Sequence, residues 1–149
     1  MDSEVEDYLI ALLDVAKEEK IEIDATKIQK IFFLLEREKG VNLNLDFKPW
    51  LFGPSSEKLD DLLYKLIDKG VVKVINKEAI KDPFTGFIIG YKSIFELNGD
   101  YEVKVDKGVL DFFKQWVTKD RKEILGYIYS KYEEFTDLEK IRESVFGHK

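Results

Sequence analysis

Residues 27 to 36 read KIQKIFFLLE. On a helix, Ile28, Ile31, Phe32 and Leu35 share one face, and Phe33 and Leu34 add apolar bulk on both flanks. Only a narrow strip of Lys27, Lys30 and Arg37, joined by Gln29 and Glu36, is polar. A helix apolar over most of its circumference needs neighbours on nearly every side, so it belongs in the middle of a domain. Asp24 or Thr26 can cap its start, and Gly40 stops it after about Lys39. At 149 residues the chain can surround such a helix within one domain, burying roughly two-thirds of its unfolded surface. Lys27, Lys30 and Arg37 are expected to form the ordinary polar edge of this helix.

The remaining segments arrange themselves around that centre. Val5, Tyr8, Leu9, Leu12, Leu13 and Ala16 form the stripe of an amphipathic helix. Residues 47 to 59 read FKPWLFGPSSEKL, and Pro49 biases Lys48 towards extended backbone. Gly53-Pro54 is expected to make the sharp turn, with Ser55 or Ser56 capping a third helix. The stripe of that helix is Leu59, Leu62, Leu63, Leu66 and Ile67, closed by Gly70. The period then changes. Val71 to Ile75 reads as strand, Asp82-Pro83-Phe84-Thr85-Gly86 as a turn, and Phe87 to Leu97 as a second strand with a bulge at Gly90.

After Leu97 a three-residue Asn98-Gly99-Asp100 loop is expected to lead into a strand over Tyr101 to Val105. It would set Leu97 opposite Tyr101 and Phe95 opposite Val103, keeping one apolar face. Helices follow over about 107–146. One carries Val109, Leu110, Phe113, Trp116 and Val117, one opens on the Asp120/Glu123 capping box, and one opens on Thr136/Glu139. The expectation is a single α+β domain over 1–149, helix-rich, with a winged-helix-like core and a β-hairpin wing.

Particular residues sharpen this reading. KIQKIFFLLE followed by FKPWLFGPSSEKLDDLLYKLIDKGVV (47–72) resembles the Panacea-type domain of antitoxins and phage-associated proteins. Gln29, Lys30, Phe52, Gly53, Pro54, Ser56, Leu59, Leu66 and Gly70 match that pattern, and the resemblance covers about residues 25–75. Phe52 stands where Tyr is more frequent, and Ser55 where an aromatic residue or Val is common. The motif consists mostly of packing residues, so it speaks for fold more than for function. The resemblance implies a non-enzymatic module that neutralises a toxin or acts as an adaptor by binding other proteins.

The chemistry-bearing residues point the same way. With no cysteine, disulfides, thiolate catalysis and thiolate metal sites are excluded. The only histidine, His148, is penultimate, where fraying is expected. Asp60-Asp61, Glu18-Glu19 and Glu133-Glu134 are helix neighbours about 100° apart and do not converge on one point. Neither GxxxxGK[ST] nor GxGxxG occurs, and no His/Asp/Glu set has metal-ligand spacing. No enzyme activity, cofactor or metal is therefore expected. No apolar run reaches the ~20 residues of a membrane span. The acidic start MDSEVEDYLI resembles neither a signal nor a transit peptide, so the expected address is cytoplasmic.

Two surfaces remain as candidates. Trp50 and Phe52, two apart in an extended segment, point the same way. Trp50 is either a buried anchor for the corner or, if partly exposed, a hot spot for a protein partner. The alternative is a winged-helix DNA-binding regulator, dimeric, touching phosphates through hairpin residues Lys73, Lys77, Lys81 and Lys92. These outnumber Glu78, Asp82 and Glu96, giving the hairpin a local +1 in a chain of net charge -6. The third helix makes a poor recognition helix, because its outer face mixes Glu57, Asp60, Asp61 and Asp68 with Lys58, Lys65 and Lys69.

Overall fold

Nine consecutive residues, Lys27 to Leu35, are buried in one helix, α2 (Ala25–Lys39). The surrounding elements are α1 (Asp2–Glu18), β1 (Ile23–Asp24), β2 (Lys48–Trp50), β3 (Gly53–Ser55), α3 (Glu57–Asp68), β4 (Val72–Lys81), β5 (Ile88–Leu97), α4 (Lys107–Val117) and α5 (Arg121–Lys131). A 3-10 turn, Glu133–Phe135, follows. This computed structural model describes residues 2–50 and 53–135. The Thr136/Glu139 box and the helix expected after it lie outside the described residues. The architecture is α+β: α4 and α5 pack against α2, α1 packs against α3 and α4, a three-stranded sheet lies on one side and a small two-stranded sheet sits at the α2–α3 joint.

The ends of α2 follow from local chemistry. Asp24 Oδ1 accepts the Lys27 backbone N–H at 2.8 Å, and Gly40 closes the helix at φ 65°. Apolar α2 side chains reach outward in several directions. Phe32 meets Phe113 of α4, while Phe33 sits edge-on to Phe47, Tyr132 and Phe135. The polar edge expected of this helix is corrected by the structure. Lys27 and Lys30 are buried, because α4, α5 and β3 close over that side as well. Only Arg37 of the three stays exposed, bound to Glu134 at 2.8 Å with its guanidinium 4.9 Å over the Phe33 ring.

The sheet order is β1-β5-β4, antiparallel throughout. The first strand of the hairpin extends well past Ile75, to Lys81, and the turn is closed by Asp82 N–H donating to Phe87 O at 2.9 Å. Ile80 faces Gly90 while Lys81 faces Ile88, so a register shift falls beside Gly90 as expected; a second lies between Val74 and Asn76.

Two local readings are overturned. Tyr101 to Val105 form no strand. One edge of β5 is taken by β4, and β1 occupies the other, Ile23 facing Phe95 and Asp24 facing Ile94. The alternation at 101–105 is nevertheless real: Tyr101, Val103 and Val105 are half-buried against the core without pairing. Gly53-Pro54 is not the reversal either, but part of β3. Lys48 faces Ser55, Pro49 faces Pro54 and Trp50 faces Gly53. Two prolines can oppose each other only at a pair that exchanges no N–H bonds, which this ladder provides.

Candidate protein-interaction groove

The polar residues of KIQK turn towards the joint between α2 and α3. Gln29 Nε2 donates to Ser56 O at 2.9 Å, and Gln29 Oε1 accepts the Ser56 N–H at 2.8 Å. The same Nε2 also donates to Asp60 Oδ1 at 2.8 Å. Ser56 is fully buried; its Oγ donates to Leu45 O at 2.6 Å and caps α3 by accepting the Leu59 N–H at 3.1 Å. Of the two serines that could have capped α3, Ser56 is therefore the one used. One step along, Lys30 Nζ donates to Pro54 O at 3.1 Å, and Lys27 Nζ donates to Val117 O at 2.5 Å. Among the described residues no fully buried side-chain nitrogen or oxygen lacks a partner.

The electrostatics of this joint follow from burial. Desolvation holds the Lys30 ammonium down to about 8, only partly opposed by Asp24 and Asp60. Desolvation also lowers Lys27 and raises the Asp60 carboxyl, against the hydrogen bond from Gln29. Gly53 is required where it sits. Its φ is 93°, and an added Cβ would stand 2.9 Å from Leu125 Cδ2 and 3.0 Å from Lys30 Cε. The β2–β3 hairpin is thus held from behind by α2 and α5.

In front of the hairpin lies a groove of about 510 Å³. Lys48, Trp50 and Ser55 of the hairpin line it together with Leu45 and Asp46, which precede β2; Glu57, Lys58, Asp60 and Asp61 of α3 line the other side. Trp50 is 40% exposed, so it is no buried anchor. Phe52, its expected companion, lies outside the described residues. The acidic lining was not legible in the sequence, because Asp46 and Asp61 come to line one groove only through the fold. The one signal was Gln29 in the motif, a polar residue on an otherwise apolar helix that had to find a partner elsewhere.

The four hairpin lysines do not form one face. Lys92 turns onto the body and lies 3.4 Å from Asp24, which Arg121 also approaches at 4.0 Å. Lys73 is 3.8 Å from Glu96. Lys81 is exposed at the outer end of β4, and Lys77 sits mid-strand opposite Ser93, its side chain outside the description. Around them the hairpin exposes Ile75, Ile80, Phe84, Phe87 and Ile88.

Among the described residues no group of His, Asp and Glu is placed to hold a metal ion, and no helix is long and apolar enough to cross a membrane. No protein-family model and no curated protein sequence matches the chain.

Proposed function

We propose that this chain is a non-enzymatic regulatory protein–protein interaction module, of the kind represented by Panacea-type antitoxin and adaptor domains, with its contact face centred on Trp50. The observation that carries this reading is an exposed indole on a rigid support. Binding energy concentrates in large aromatic side chains whose backbone is already fixed, because little conformational freedom is lost on contact. Trp50 meets that condition. Its strand pairs with β3, and β3 is tied through Lys30, and through the Gln29–Ser56 bonds just beyond it, to the central helix.

The test places an aromatic photo-crosslinking residue, which keeps a large ring at the contact, at position 50 and, as a control, at Tyr64, which is 60% exposed on α3. In source cells, position 50 should capture a discrete protein that position 64 does not; a toxin encoded beside this chain is the foremost expectation. Capture of nothing from position 50, or of the same proteins from both positions, defeats the reading.

The winged-helix DNA reading keeps one supporting observation, the exposed Lys81 at the outer end of the hairpin. Phosphate contacts release counterions, so binding to mixed-sequence duplex DNA should fall steeply between ~50 and ~200 mM salt if that reading holds. With Lys92 and Lys73 engaged by the protein's own carboxylates, no measurable binding at the lower salt is expected.

A further inference from the structure

We infer that the groove beneath Trp50 takes an arginine-bearing basic segment of the partner protein. This rests on the reading of the Trp50 face as a contact surface and adds the chemistry of what that face holds.

Charge complementarity is the first argument. Four carboxylates, from Asp46, Glu57, Asp60 and Asp61, line the groove against the ammoniums of Lys48 and Lys58. Both cations are partly engaged. Lys58 Nζ reaches the Asn44 carbonyl at 3.4 Å, and Lys48 Nζ lies 3.9 Å from Asp46. Among the described residues no cation of this chain pairs with Glu57 or Asp61. A recess lined by one excess sign focuses its field on what enters, so a cation is favoured over an anion or a neutral group.

The aromatic rim decides which cation. A guanidinium can lie flat on an indole face while its edge donates to a carboxylate through two parallel N–H groups. An ammonium is a more strongly hydrated point charge and gains less from such a site. The molecule already uses this pairing internally. Arg37 lies over the Phe33 ring at 4.9 Å while bound to Glu134 at 2.8 Å. Trp50 with Glu57 and Asp61 offers the same combination to a second molecule.

The experiment titrates the isotope-labelled protein with three blocked octapeptides, alternating Arg-Thr, Lys-Thr and Glu-Thr, at ~50 mM salt. The readout is the Trp50 indole N–H resonance, with that of the buried Trp116 as internal reference. The Arg peptide should shift Trp50 alone, the Lys peptide should bind about threefold or more weakly, and the Glu peptide should not bind. Read from the backbone amide resonances of the groove positions 57 and 61, which every variant keeps, Trp50→Ala, and separately the pair Glu57→Gln with Asp61→Asn, should each weaken the Arg peptide by about tenfold; Trp50→Phe should retain most of the affinity. An unchanged backbone spectrum shows that each variant is folded. Arg-peptide binding indifferent to these substitutions, equal binding of the Glu peptide, or no shift at ~1 mM peptide overturns the inference. If position 50 captures a partner while the Arg peptide fails, the chemistry assigned here falls and the interaction reading stands. Peptide binding without partner capture leaves the arginine site standing and removes the interaction reading.

Discussion

Gln29 and Ser56 exchange two hydrogen bonds, amide to backbone in both directions, at 2.9 and 2.8 Å. The side-chain amide of Gln29 thereby acts as a one-residue strand, offering one donor and one acceptor to the backbone of the α3 cap. Only Asn and Gln carry both groups in that planar arrangement, and the length of Gln suits the span from α2. This pair, with Lys30 on Pro54, converts a buried helix face into a clasp for the hairpin that carries Trp50.

Gln29→Ala should therefore destabilise the protein far more than its size suggests. It leaves both the N–H and the C=O of Ser56 without the partner that Gln29 supplies, in a buried site. An unfolding free energy lower by about 2–4 kcal/mol is expected in urea denaturation. Gln29→Glu should be no better, since it loses the amide donor and sets a second carboxylate beside Asp60. A loss below ~1 kcal/mol in both variants would show that the clasp is incidental.

Lys30 imposes a pH dependence. Its folded value is about 8 against 10.5 in the free side chain, because burial disfavours the ammonium. Between those values the unfolded chain binds more protons than the folded one, so stability rises as pH increases from about 8. Below pH 8 the penalty for the buried charge is present in full. Tyr132 acts in the opposite sense at higher pH. Burial and its bond to Glu38 push it up to about 12, so above pH 10 the unfolded tyrosine ionises first and stability falls. Between pH 8 and 10 Lys27, which burial also lowers, acts in the same sense as Lys30, so the comparison with a Lys30 variant isolates Lys30. Across that range, Lys30→Met should remove a stability gain on the order of 2 kcal/mol, read from urea midpoints at each pH. Parallel curves for the two proteins would contradict the assignment.

Gly53 and Gly86 form a matched pair of substitutions. Both have positive φ, 93° and 76°, but an alanine Cβ at 86 meets nothing, whereas at 53 it meets Leu125 and Lys30. Gly86→Ala should cost about 1 kcal/mol, the backbone penalty alone. Gly53→Ala should cost about 2–4 kcal/mol, since overpacking adds to that penalty. Thermal melts of the two variants compare them directly. Equal losses would mean that the hairpin is not pressed against α2 and α5.

What could be read from the sequence follows a physical division. The place of α2 at the centre was legible because Phe33 and Leu34 leave it almost no polar side. Helix ends were legible because Asp24, Gly40, Gly70 and Asp120 act on backbone within a few residues. The bulge beside Gly90 was legible for the same reason.

Contacts between distant segments were not legible. Tyr101 to Val105 alternates like a strand, but a two-residue strand from another part of the chain had already filled the edge it required. Lys27 and Lys30 look like a solvated edge in one dimension; in three, α4, α5 and β3 cover them and backbone carbonyls replace water. Beyond Gln29 the groove acids carry no signal, because Asp46 and Asp61 come to line one groove only after the α2–α3 joint closes. The sequence by itself determined which segments are helical, where they stop and which one lies inside, since apolar periodicity and capping are properties of short stretches. Only the tertiary structure decided where the polar groups of KIQK find their partners and that Trp50 meets solvent, because a buried donor must be satisfied by whatever backbone the fold brings within hydrogen-bond reach.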